Sequence, residues 1–181
     1  AAGNPTEGGE YCLAVSALAP YKRLEVAVAA CARLGLELRL VGEGPERARL
    51  ERAASAASGG KAAPVRFLGR VDGERLRELY RGALCLLQPG VEDFGIASVE
   101  ALACGCPVVA AGRGGVLDVV DDGVHGVLHS EDGEGGAVAA AIDKIRRIRF
   151  NSLDLRRRAE EFSGARFRER IQSLLSRPVS R

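Results

Sequence analysis

Two glutamates, Glu92 and Glu100, stand with seven residues between them: Asp93-Phe94-Gly95-Ile96-Ala97-Ser98-Val99. The first carboxylate falls in a loop-like stretch before a Phe-Gly turn. The second falls within helical apolar spacing, beside Val99, Ala101, Leu102 and Ala103. Gly105 and the strand-like run Pro107-Val108-Val109-Ala110 follow. This layout of loop, helix and strand puts free backbone amides and a positive helix end beside two carboxylates. The ligand that suits the combination carries both a diphosphate and sugar hydroxyls.

Each residue of the stretch has its own chemistry. Glu100 lies in the second turn of its helix among apolar neighbours, so its carboxylate must be solvated in a cleft or paired. The two adjacent hydroxyls of a ribose could both donate to one such carboxylate; a solvated surface glutamate is the plainer alternative. Gly95 lets the backbone fold tightly, which leaves the amides of Ile96 and Ala97 as donors at a helix start. Ser98 offers itself instead as a local cap. Lys22 and Arg23 follow Pro20-Tyr21 at the same sheet edge, either as cations for a phosphate or as ordinary charges at a helix start. Gly42-Glu43-Gly44-Pro45-Glu46-Arg47 is a poor dinucleotide fingerprint, because Arg47 holds the place of the third glycine and the motif follows the second strand. Gly42 and Gly44 therefore mark either a close backbone approach or a plain strand-to-helix turn.

The elements that must position these residues alternate. Strands are predicted at 11–15, 36–41, 65–68, 84–87, 107–110 and 126–128. Helices are predicted at 22–34, from Glu46 to about Ala57, from Asp72 to Tyr80, from the Glu92–Glu100 segment onward, and from about Gly135. Pro45 opens the second helix from inside its first turn, and Asp72 caps the third. Ala53–Ala63 reads as a low-complexity surface loop. Gly112-Arg113-Gly114-Gly115 is a tight glycine loop, followed by a short helix. Apolar strands separated by helices imply parallel pairing with right-handed crossovers. The predicted fold is α/β, a Rossmann-like, doubly wound parallel sheet that binds its ligand at the carboxyl ends of its strands. Residues 1–10 read as a polar lead-in, 11–150 as the Rossmann-like domain, and 151–181 as C-terminal helices that pack on it or cross to another domain.

Composition narrows the function class. The chain has 181 residues, 46% hydrophobic and 28% charged, but only 4% aromatic. No apolar run is long enough to span a membrane. The first residue is not Met, and the chain reads as part of something larger. Five cysteines without a CxxC pair suggest buried free thiols in a reducing cytoplasm. With no CxxC pair, His125 and His129 do not sit at zinc-finger spacing from any cysteine pair, so no metal site is expected. Residues 144–181 hold 12 Lys or Arg against 4 Asp or Glu. Such a run is a solvated helix face, or a surface for an acidic partner, a membrane or a further domain. It lacks the interleaved aromatics of a nucleic-acid surface.

The sequence resembles the C-terminal half of a GT-B glycosyltransferase of family 4, the retaining sugar-nucleotide enzymes. The resemblance rests on the E-x7-E pair Glu92 and Glu100, on Val41-Gly42-Glu43-Gly44-Pro45-Glu46, and on Phe67-Leu68-Gly69-Arg70-Val71. It continues through the segment from Glu100 to Val109, Gly114-Gly115 and Asp122-Gly123-Val124-His125-Gly126, and it covers residues 11–175. The versions Ala19-Pro20-Tyr21-Lys22-Arg23 and Glu92-Asp93-Phe94-Gly95-Ile96 most resemble mannosyltransferases of polysaccharide and lipopolysaccharide synthesis.

The resemblance implies roles. Glu100 would hold the ribose and Glu92 the hydroxyls of the donor sugar. Phe94, Gly95, Ile96 and Ala97 would present backbone to the sugar and diphosphate, and Gly44 would lie close by. Lys22 would neutralise the diphosphate, with Arg23 as a second cation, and Leu68, Arg70 and Val71 would border the base. Neither a cofactor nor a metal is implied, so lysine and amides must stabilise the leaving group. The implied donor is GDP-mannose. The implied acceptor is a glycan or a lipid-linked sugar, reached through an N-terminal domain that this chain lacks. The implied place is the cytoplasm, with peripheral contact of the whole enzyme at the inner face of the membrane. Two departures stand out: Ala17 occupies the place of the family's usual arginine five residues before the lysine, and Asp118 stands where glutamate is common. A catalytically silent nucleotide-binding scaffold and a related GT-B sugar-nucleotide epimerase remain the alternative readings.

Overall fold

In a computed structural model of the chain, describing residues 9–57, 65–130 and 135–176, six strands form one sheet in which every pairing is parallel. The strands are β1 (Tyr11–Val15), β2 (Glu37–Val41), β3 (Val65–Gly69), β4 (Ala83–Gln88), β5 (Val108–Ala111) and β6 (Gly126–His129). The helices are α1 (Leu24–Leu34), α2 (Arg47–Ala57), α3 (Gly73–Gly82), α4 (Ile96–Ala103), α5 (Gly135–Ile145), α6 (Ser152–Glu160) and α7 (Gly164–Leu175). The spatial order β3-β2-β1-β4-β5-β6 reverses direction between β1 and β4. Right-handed crossovers then place α1 and α2 on one face and α3 and α4 on the other. Packing agrees, since α1 lies against α2 and α5 while α4 lies against α3 and α6.

The doubly wound parallel sheet is as the sequence implied, and its central strands show why. β1, β4 and β5 are buried almost throughout, so they need apolar residues on both faces. Leu13, Leu38, Leu86, Leu102 and Ile142 lie at the centre of the core with essentially no exposure. Cys12, Cys31, Cys85 and Cys106 are buried free thiols, and Cys104 is partly buried. Among the described residues, no helix is long and apolar enough to cross a membrane.

Three local expectations are corrected. The first helix begins at Leu24 rather than Lys22, because Pro20–Lys22 forms a 3-10 turn and Arg23 adopts a left-handed φ of 51° before α1. The short helix after the glycine loop is likewise a 3-10 turn, Gly115–Asp118. Ala53–Ala57 are not loop but the last turn of α2, while the rest of that low-complexity patch, from Ser58 on, lies outside the described residues. Asp72 caps α3 as predicted, its carboxylate accepting from the Arg75 amide at 2.8 Å.

Candidate functional site

The β1–β4 reversal opens a crevice where the loops after two adjacent strands part in opposite directions. Here it is a cleft of about 460 Å³, lined on one side by Val15, Ser16, Tyr21 and Lys22 and on the other by Gln88 and the segment 91–97. That volume suits a small-molecule ligand. The loops beside it are fastened to one another. Ser16 N donates to Val41 O at 3.1 Å, Leu18 N to Glu43 O at 2.9 Å, and Gly42 N to Gly69 O at 2.8 Å. A Cβ at Gly42 or Gly44 would run into the backbone of Ser16 or Leu18. Of the two roles open to these glycines, close approach to a neighbouring loop is therefore the one observed.

Lys22 and Glu92 meet in this cleft. Lys22 Nζ is paired with a Glu92 carboxylate oxygen, and both side chains are largely buried, 13% and 19% exposed. The ammonium also lies 4.8 Å from the centre of the Tyr21 ring. Such a pair, drawn from two loops and facing a cleft, is a charge that a ligand can redirect. The Glu92 loop is braced from behind by the glycine pair. Gly115 N donates to Glu92 O at 2.8 Å, and a Cβ at Gly114 or Gly115 would strike the backbone of Glu92 or Asp93.

α4 starts beside this pair. Gly95 is its N-cap with φ 81°, a conformation that glycine adopts without strain. No side chain caps the helix. Ser98 does not act as the local cap, because its hydroxyl is fully buried and donates instead to Gln88 Oε1. Within α4, Ser98, Ala101 and Leu102 face the protein, while Ile96 and Glu100, one turn apart, stay exposed. Glu100 is paired as well as solvated: the buried Tyr80 hydroxyl donates to Glu100 Oε2 at 3.1 Å. Burial, and secondarily the Glu100 charge, push the Tyr80 phenol well up, so it remains a donor.

The cleft wall thus brings together Lys22, Glu92, Phe94, Gly95, Ile96 and Ala97. Glu100 lies a helical turn beyond it, on the outer face of α4. Arg23 is off the wall, and its charge acts on His129 at the end of β6. Gly44 serves the loop packing just described. Leu68 and Val71 pack against the core at the end of β3, two strands from β1, and Arg70 is exposed and paired with Glu43 at 3.2 Å. Sequence reasoning missed Gln88 and Tyr80. The one signal for Gln88 was a lone polar residue ending an apolar strand; Tyr80 read only as the last residue of a helix. Among the described residues, no three His, Cys, Asp or Glu side chains gather to hold a metal ion.

The C-terminal helices reach the same loop. Phe94 meets Phe162 edge-on with ring centres 5.8 Å apart. Arg158 of α6 donates to Asp118 O at 2.8 Å and to Val119 O at 3.0 Å, which ties α6 to the turn after the glycine pair.

The chain is similar to known proteins. The model of a family described as glycosyl transferases group 1 matches residues 2–163. A D-inositol 3-phosphate glycosyltransferase of Rhodococcus erythropolis is 34% identical over 163 residues, which is 82% of this chain and 37% of that protein. A GDP-mannose-dependent alpha-(1-6)-phosphatidylinositol dimannoside mannosyltransferase of Mycobacterium tuberculosis is 36% identical over 148 residues, 77% of this chain and 36% of that protein. The crystal structure of Anabaena HepE in complex with UDP is similar with a TM-score of 0.78 at 26% identity, over 93% of this chain and 49% of that one. The chain therefore spans no more than about half the length of these relatives.

Proposed function

Because the chain belongs to the group 1 glycosyl transferases, as a C-terminal GT-B domain, we propose that its cleft binds the nucleoside diphosphate sugar of a retaining glycosyltransferase. The observation that carries this reading is the convergence of Lys22, Glu92 and the uncapped start of α4 at the β1–β4 reversal. A diphosphate seated there would meet an ammonium and the positive end of a helix, both of which oppose the charge that grows as the nucleotide leaves. Glu92 would turn from Lys22 to hydroxyls of the sugar, and Glu100 would hold the ribose from the outer face of α4. Leu68, Arg70 and Val71 would border the base if the nucleotide runs along the sheet edge toward β3. The acceptor hydroxyl would attack from the face the nucleotide leaves, so that the anomeric configuration is retained.

GDP-mannose is the proposed donor. The name of the mycobacterial relative supports it, while the HepE complex makes uridine the rival base. The proposed acceptor is a glycan or lipid-linked sugar presented by an N-terminal domain. The proposed setting is the cytoplasmic face of a membrane, held by peripheral contact of the whole enzyme. A second reading, a nucleotide-binding scaffold without activity, is favoured by exposed Ala17 beside the cleft, where a phosphate-binding cation would otherwise stand.

Calorimetric titration with GDP, UDP, ADP and GDP-mannose, with and without EDTA, tests the proposal. Binding of one nucleotide that survives EDTA and is lost in Glu100→Ala supports it and names the base. No binding to any of the four overturns it.

A further inference from the structure

We propose that Gln88 is a further donor-site residue, whose side-chain Nε2 donates to an oxygen of the bound sugar diphosphate at the start of α4. The inference rests on the reading of this cleft as a nucleotide-sugar site. Gln88 ends β4, whose other five residues are Ala83, Leu84, Cys85, Leu86 and Leu87. The residue is 8% exposed, and Nε2 keeps contact with the cleft that Gln88 lines. Among the described residues only its carbonyl end is used, by the buried Ser98 hydroxyl. That bond turns Oε1 inward and fixes the plane of the amide. The two N–H donors of Nε2 bond no atom among the described residues.

The free end lies where the ligand is expected. Gln88 lines the cleft, beside Gly95. A Cβ at Gly95, the N-cap of α4, would lie 3.2 Å from Gln88 Nε2 and 3.6 Å from Oε1. The amide is therefore packed directly under the turn that opens the helix, and Nε2 stands beside the main-chain amides that no side chain caps. Lys22 and the helix end supply positive charge there. Gln88 adds a neutral, rigidly held donor, which suits an oxygen of either the terminal phosphate or the sugar.

The test uses the 181-residue chain and four probes: UDP, GDP, UDP-glucose and GDP-mannose. Replacing Gln88→Met together with Ser98→Ala removes the donor without leaving the serine hydroxyl orphaned. The dissociation constant of the nucleotide sugar should then rise about tenfold, the effect of one hydrogen bond to a charged or polar oxygen. An equal rise for the nucleoside diphosphate assigns the bond to phosphate, and a rise confined to the nucleotide sugar assigns it to the sugar. Gln88→Glu is the companion variant. It keeps an acceptor for Ser98 but faces the ligand with an oxygen, and it should weaken binding further. Affinities that change by less than about twofold in both folded variants overturn the inference. Failure of the unmodified chain to bind any probe overturns the nucleotide-sugar reading itself, so the two failures are told apart.

Discussion

Lys22 reaches Glu92 across 70 residues of sequence, and the pair faces a cleft rather than bulk water. Removing the ammonium leaves a diphosphate with the helix end alone, so Lys22→Ala should weaken nucleoside diphosphate binding about tenfold or more, read by calorimetry. Loss of a comparable amount from a nucleoside, which has no phosphate, would contradict the role. Tyr80 gives a different residue-level expectation. Its hydroxyl is buried but its partner Glu100 is exposed, so Tyr80→Phe removes one bond and leaves a carboxylate that water can serve. Thermal or denaturant unfolding should show a loss of about 1 kcal/mol. His129 should make the stability of the fold depend on pH. Burial lowers its affinity for protons, the bond from Nδ1–H to Ser130 O at 2.8 Å opposes this, and the Arg23 charge adds to it. His125 is lowered as well, first by burial, against the nearby Asp121 carboxylate. In both cases the unfolded chain binds the proton more readily than the native one. Stability should therefore be full above pH of about 6.5 and fall as pH drops below it. His129→Leu should flatten part of that slope in unfolding measurements across the same range.

At the scale of elements, the site is a set of loops held at fixed spacing by the strands that launch them. The glycine pair after β5 braces the loop after β4, and Arg158 of α6 fastens the turn that follows that pair. Gly115→Ala drives a methyl into the Asp93 backbone. Overpacking of this kind costs about 1–3 kcal/mol and would displace Glu92, so stability and nucleotide affinity should fall together in paired unfolding and titration experiments. α4 does two jobs with one periodicity. Ser98, Ala101 and Leu102 anchor it, while the opposite stripe carries Ile96 and Glu100.

For the molecule as a whole, the cleft is one wall of a larger site in the proposed reading. The chain spans about half or less of its relatives, so it is expected to bind a nucleotide yet transfer no sugar by itself. A transfer assay with donor and with sugar or lipid-linked acceptors checks this, and clear turnover by the isolated chain would sink it. Ala17→Arg, made in a longer chain that carries an N-terminal domain, should raise activity if Ala17 merely weakens an enzyme. It should do nothing if the domain is a scaffold. The C-terminal helices differ in how they meet the domain. α6 buries Leu155 and Ala159 and lies against α4, whereas α7 buries none of its residues and leaves Phe167, Leu174 and Leu175 exposed.

The sequence by itself determined the alternation of strands and main helices, the parallel sheet, the Asp72 cap and the segment that carries the candidate site. These follow from local periodicity, capping chemistry and runs of apolar residues, all of which are written within a few neighbouring positions. Only the tertiary structure decided that Lys22 pairs with Glu92, that Ser98 turns inward to Gln88, and that Tyr80 holds Glu100. Each of these joins residues from different elements, and a contact made when two strands or two loops are brought side by side leaves no trace in the spacing of either segment. The same holds for Arg23, whose left-handed backbone before α1 places it off the cleft wall, although its neighbour in sequence sits at the centre of it.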